Sequence, residues 1–214
     1  MSMFGLSKPG IGMPWSARSA RKADPWGLAA LFEGDDSLYK ACVAQARSYV
    51  EYGVGSSTVW AATRADCAIH SVDTDGAWIS KVMESVGPRP DLTIKHADLG
   101  PVGEWGRPLD YRFIDHFALY TDWPWRATDA DVDLVLIDGR FRVCCFLTAL
   151  LYARPGTKIL FDDYMNRPNY HIVENFVRRE DNCGRQALFV VPGKMALDLH
   201  EIGVYIERFR LVMD

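Results

Sequence analysis

Between residues 50 and 73 the chain reads Val50-Glu51-Tyr52-Gly53-Val54-Gly55-Ser56-Ser57-Thr58, then a helix-like stretch, then Ala68-Ile69-His70-Ser71-Val72-Asp73. An apolar run that ends in glycines and opens a helix is a strand–turn–helix unit. The second apolar run is the next strand, closed by an acid. That order demands a parallel sheet with helices packed against it. Glycines let a ligand approach the turn closely, and a carboxylate on the neighbouring strand end can accept hydrogen bonds from both hydroxyls of a ribose. A nucleoside suits this arrangement.

Glu51 separates two kinds of nucleoside ligand. A dinucleotide places its pyrophosphate at a helix N-terminus and wants an uncharged turn there. An anion two positions before the first glycine opposes that phosphate and favours a ligand carrying an ammonium and a sulfonium. Thr58, standing where a dinucleotide fingerprint has its third glycine, points the same way. Glu-x-Gly-x-Gly-Ser-Ser followed by Asp73 resembles motifs I and II of class I S-adenosylmethionine (SAM)-dependent methyltransferases. The cofactor residues that the resemblance implies are Glu51, Gly53, Gly55, Ser56, Ser57, Asp73, Thr74, Asp98 and Asp138. Two alternatives stand beside it. One is a SAM-binding protein of this fold without catalysis; the other is an NAD(P)-dependent oxidoreductase on a similar sheet.

The rest of the chain fits one α/β domain over residues 26–214, preceded by an arm at 1–25 that is expected to be mobile. With 214 residues, 49% of them hydrophobic, the chain can bury a substantial core. Helices are expected at 38–48, 56–64, 75–86, 141–153, 169–176 and 196–212. Strands are expected at 48–52, 67–72, 92–96, 133–138 and 157–161, with two more flanking a turn at 181–184. The resemblance implies a mostly parallel seven-stranded sheet ordered 3-2-1-4-5-7-6, closing in an antiparallel hairpin.

A net charge of −4 argues against a general nucleic-acid binder. The sequence has no apolar run long enough to span a membrane. Cys42, Cys67, Cys144, Cys145 and Cys183 show no metal spacing and read as reduced thiols, which suggests a cytoplasmic protein.

The strand ends collect acids: Asp98 after the third strand, Asp138 after the fourth, and Asp162-Asp163 after the fifth. The last three partly resemble the magnesium ligands of catechol-type O-methyltransferases. That family has Asp-Asn at the fifth strand and a lysine three residues after the first Asp; here the pair is Asp-Asp and Phe141 replaces the lysine. Either a divalent cation such as magnesium holds Asp138, Asp162 and Asp163 together, or Arg140 or Arg142 pairs with them. Candidates for removing a proton from the acceptor are Asp138, Asp163, Tyr164 and His171, while His116 and His171 also read as structural. Arg140 and Arg142 are suited to an acceptor carboxylate or phosphate.

Residues 99–131 form a long connection rich in rings and prolines, including Trp105, Tyr111, Phe117, Tyr120, Trp123 and Trp125. Such a connection over the ligand end of a sheet makes a substrate wall, or else a packed helical excursion or the face of a homo-oligomer. Two further stretches, 98–108 and 137–171, resemble a group of bacterial methyltransferase-like proteins. The function expected is SAM-dependent methyl transfer to a small molecule, at oxygen, with Asp138, Asp163 and Arg140 as the catalytic group.

Overall fold

A computed structural model describes residues 26–32, 34–128 and 131–214. The arm expected at 1–25 lies outside the described residues. The helices are α1 (Ser37–Val43), α2 (Ser56–Arg64), α3 (Gly76–Val86), α4 (Phe117–Ala127), α5 (Arg142–Tyr152) and α6 (Leu199–Phe209). The strands are β1 (Ser48–Tyr52), β2 (Ala68–Asp73), β3 (Leu92–His96), β4 (Leu134–Ile137), β5 (Lys158–Phe161), β6 (Asp181–Cys183) and β7 (Gln186–Val190). They form one sheet in the order β3-β2-β1-β4-β5-β7-β6. Pairing is parallel from β3 to β5, and β7 enters antiparallel to both β5 and β6.

Alternation along the central strands divides the core into two layers. Val50, Tyr52, Val135, Ile137, Ile159 and Phe161 face a cluster shared with α5 and with Ile202 of α6. Tyr49, Ile69, Leu134, Leu136 and Leu160 face another, containing Ala61 and Ala62 of α2. All four residues of β4 are buried, as expected for a central strand covered on both sides.

Several boundaries differ from expectation. The helix expected at 38–48 stops at Val43, because β1 needs residues from Ser48 onward for the sheet. Residues expected as a helix at 169–176 instead form a 3-10 segment, Pro168–Asn175. The turn placed at 181–184 is itself strand β6, and the chain reverses at Gly184, whose φ of +57° suits glycine. The C-terminal helix is α6 alone, with a separate 3-10 turn at Lys194–Ala196 before it.

The 99–131 connection packs α4 onto the sheet through β1 and β2 and against α5. Tyr52 of β1 latches it down: its hydroxyl donates to the Thr121 carbonyl at 2.6 Å and accepts from Trp125 Nε1 at 2.8 Å. Phe117 and Tyr120 are therefore core residues, while Trp105 is 88% exposed. Phe117 and Tyr120 thus fit the expected packed helical excursion, and Trp105 and Tyr111 stay exposed.

The tightest backbone approach in the sheet lies at the glycine turn. Gly53 has φ +91°, and a Cβ there would stand 2.6 Å from the Asp138 carbonyl oxygen and 2.8 Å from Gly139 Cα. Gly53 thus joins the ends of β1 and β4. At Gly55 the nearest atom to an added Cβ would be Trp78 Nε1, at 3.9 Å. Gly53→Ala is expected to destabilise the fold by about 3 kcal/mol or more, through collision and unfavourable φ. Gly55→Ala should stay within about 1 kcal/mol of the parent. Urea unfolding of both variants checks this; equal midpoints would show that the close approach is dispensable.

Candidate functional site

The turn is held from behind by Glu51. Its carboxylate is fully buried and accepts four hydroxyl hydrogen bonds: Oε1 from Tyr49 at 3.0 Å and Ser57 at 2.6 Å, Oε2 from Thr58 at 2.6 Å and Ser71 at 2.8 Å. Burial pushes its pKa up, and the four hydroxyls oppose that shift. Glu51 shares a sheet face with Tyr49, so it is directed into the α2 layer. The Glu51 charge, expected to favour a cationic ligand, lies behind the turn. Ser57 and Thr58 are drawn inward by the same clamp, and Ser56 donates to the Trp26 carbonyl. The hydroxyl groups at the start of α2 are thereby all engaged within the protein.

Asp73 closes β2 beside the turn. Its Oδ2 accepts the Val54 amide at 2.9 Å and its Oδ1 the Asp75 amide at 2.9 Å. Burial raises its pKa, while the amides of Asp75, Val54 and Thr74 hold the charged form. Each oxygen keeps lone-pair capacity for a ligand hydroxyl. Thr74 is buried and donates to the Gly106 carbonyl, docking the long connection beside Asp73. Asp98 is exposed and accepts the Gly100 amide at 3.1 Å, capping the turn that follows β3. Trp78, absent from the expected set, donates from Nε1 to the Val54 carbonyl at 2.6 Å and lies 5.3 Å from the Trp26 ring.

At the ends of β4 and β5, carboxylate oxygens of Asp138, Asp162 and Asp163 come within 4.8 Å of one another. Three arginines run through them. Buried Arg142 reaches Asp138 and Asp163, each at 3.2 Å, and donates to the carbonyls of Gly139 at 3.0 Å and Asp162 at 2.8 Å. Arg185 grips Asp162 at 2.6 Å and Asp163 at 3.2 Å, and Arg167 reaches Asp163 at 2.8 Å. Phe141 and Asp163 adopt left-handed backbone (φ +54° and +58°) to bring these groups together. Asp162 and Asp163 are buried, whereas the Asp138 side chain keeps 27% exposure. Lost hydration, then the Asp162 charge, holds the Asp138 pKa well above the usual carboxylate range despite Arg142 and Arg185.

Among solved structures, the chain is similar to a methyltransferase-like protein from Silicibacter pomeroyi. The two share 28% identity, with a TM-score of 0.74, over 90% of this chain and 97% of that one. The sheet of this chain, with β7 entering antiparallel between β5 and β6, matches a Rossmann-like methyltransferase fold. The chain has the class I SAM-dependent methyltransferase fold. A putative caffeoyl-CoA O-methyltransferase from Staphylococcus aureus is more distant: 10% identical, covering 73% of this chain and 82% of its own, at a TM-score of 0.49. A putative O-methyltransferase from Klebsiella pneumoniae is 20% identical, covering 81% and 64%, at 0.42. Neither likeness is deep enough to transfer a residue. No protein-family profile and no curated protein sequence matches the chain.

Within this methyltransferase, the carboxylate cluster does not fit a divalent cation. The three guanidinium charges already balance the three carboxylates, and an ion would have to displace them. The pairing was legible as a choice between metal and arginine, but its members were not. Arg142 enters the cluster and Arg140 stays out of it. Arg167 and Arg185 arrive from the loop after β5 and the β6–β7 reversal, through pairings invisible in local sequence.

The remaining proton-transfer candidates are occupied. Tyr164 donates to Glu174 at 2.8 Å, with its pKa raised by burial. His171 stacks on Tyr164 and its Nε2 lies 3.1 Å from the Tyr164 carbonyl, while His116 Nδ1 lies 3.1 Å from the Asp98 carbonyl. Both histidines are structural. Arg185→Met leaves Asp162 buried without its bidentate partner and is expected to cost about 3 kcal/mol. Millimolar magnesium should not raise the melting temperature of the parent chain. A magnesium-dependent rise would overturn the arginine assignment.

Proposed function

We propose that the chain transfers a methyl group from SAM to an oxygen of a small molecule, with Asp138 accepting the acceptor's proton. The observation that carries the cofactor half is the Glu51 clamp. Four hydroxyls turn toward a buried anion directly behind the start of α2. That arrangement places negative charge behind the helix N-terminus, where a phosphate would suffer from it. Gly53, Gly55 and Asp73 then serve as the turn and the ribose acceptor.

SAM, when bound, supplies an electrophilic methyl on a sulfonium. The protein's own part is to position the acceptor oxygen, exclude water and take up a proton. Asp138 suits the last task because it is the partly exposed member of its cluster and its pKa is raised. Asp163, held by Arg142, Arg167 and Arg185, keeps Arg142 in place and is not a free base. The exposed Trp105 and Tyr111 on the long connection favour an acceptor with a flat apolar part.

A second reading is favoured by the cover over the strand ends. The Tyr120 hydroxyl lies against Gly139, and Thr74 is tied to Gly106. A methyltransferase fold kept for binding alone would retain such a cover permanently.

The test is methyl transfer to a panel of phenols, catechols and sugars. Asp138→Asn should lower turnover about 100-fold or more while leaving cofactor affinity nearly intact. Only ionised Asp138 can accept a proton, so the parent rate should fall as pH drops through its raised pKa. That fall should begin above the ordinary carboxylate range and vanish in the variant. Cofactor binding without turnover on any acceptor would support the binding-only reading.

A further inference from the structure

Arg140 stands apart from the other arginines around the strand ends. Arg142, Arg167 and Arg185 each hold carboxylates of the cluster. Arg140 makes no ion pair among the described residues, and its Nε is buried without a hydrogen-bond partner. Its backbone is pinned from both sides. The amide donates to Tyr120 Oη at 3.0 Å, and the carbonyl accepts from Cys145 Sγ at 3.4 Å. The residue lies two positions beyond Asp138, immediately after the glycine that meets Gly53.

A guanidinium whose Nε is cut off from water and given no anion is costly, and a neighbouring guanidinium makes it worse. Burial and the adjacent Arg142 both push the Arg140 pKa down, while Tyr120, Tyr170 and Asp214 only partly compensate. Asp214 spends its Oδ1 on the Arg142 amide at 3.3 Å. The Arg140 side chain thus has donor capacity that the protein leaves unspent, on the turn that follows the carboxylate assigned to proton transfer.

We infer that Arg140 is the anion-recognition residue of the acceptor site, and that the methyl acceptor carries a carboxylate or phosphate gripped by its guanidinium. This deepens the methyl-transfer reading and rests on it for the word acceptor. The anion site itself can be tested without any cofactor. An entering oxyanion would supply the missing charge and accept from the terminal amines, and from Nε once the side chain turns to uncover it. Arg142 cannot do this, since its donors are committed to Gly139, Asp162, Asp138 and Asp163.

The experiment is a titration of the full chain with sodium benzoate, and separately with inorganic phosphate, at constant ionic strength. It follows the arginine Nε–Hε resonances by NMR, with the Arg140 peak assigned by its loss in Arg140→Gln. A saturable movement of that peak is expected with at least one anion, together with a rise in melting temperature absent from the variant. The anion that saturates assigns the acceptor group as carboxylate or phosphate. On an acceptor bearing that group, Arg140→Gln should raise KM on the order of 10- to 100-fold, with a smaller change in kcat. An Arg140 resonance unmoved by either anion overturns the proposal, as does equal thermal stabilisation of the parent and Arg140→Gln. Failure of the cofactor reading would instead appear as absent S-adenosylhomocysteine binding, which this titration does not involve.

Discussion

The ligand end of this sheet depends on one backbone contact, the approach of Gly53 to the Asp138–Gly139 peptide. With a Cβ position 2.6 Å from a carbonyl oxygen, the two strand ends are in van der Waals contact through bare backbone. The contact aligns the glycine turn with the end of β4, and so sets the spacing between Asp73 on one side and Asp138 on the other. Tyr120 then closes the seam, its hydroxyl accepting the Arg140 amide. Groups from four segments distant in sequence are fixed relative to one another through this single seam.

Charge around the seam is arranged in two ways. Behind the turn, a lone buried carboxylate is stabilised by four neutral hydroxyls, which keeps its charge within reach of the α2 N-terminus. Beside it, three carboxylates are stabilised by three guanidinium groups in a closed network. The network buries Arg142, Asp162 and Asp163 and leaves Asp138 at its solvent edge. Arg140 is the residual charge of this arrangement.

Much of this was legible in the sequence. The glycine turn and the strand-ending place of Asp73 followed from an apolar run, two glycines and an acid, because those signals are local, whereas the sheet order came from the family resemblance. The strand ends of Asp138 and Asp162-Asp163 were legible for the same reason. What escaped were partners supplied across the fold. Ser71 completes the Glu51 clamp from a neighbouring strand, Arg185 reaches Asp162 from a hairpin, and Tyr120 comes from a helix within the long connection. Glu51 also shows why residue type alone misleads. Its charge was read as facing the ligand side of the turn, but its position two residues from Tyr49 turns it into the α2 layer. The boundaries that shifted lie mainly where a short or 3-10 segment replaced a longer helix, as at Pro168–Asn175.

The most direct test of the account is calorimetric titration of the chain with S-adenosylhomocysteine, run alongside Asp73→Ala. Micromolar binding to the parent, weakened at least about tenfold in the variant, is the predicted result. A folded chain that binds no S-adenosylhomocysteine, or binds it equally well without the Asp73 carboxylate, would contradict the assignment of this turn as the cofactor cradle.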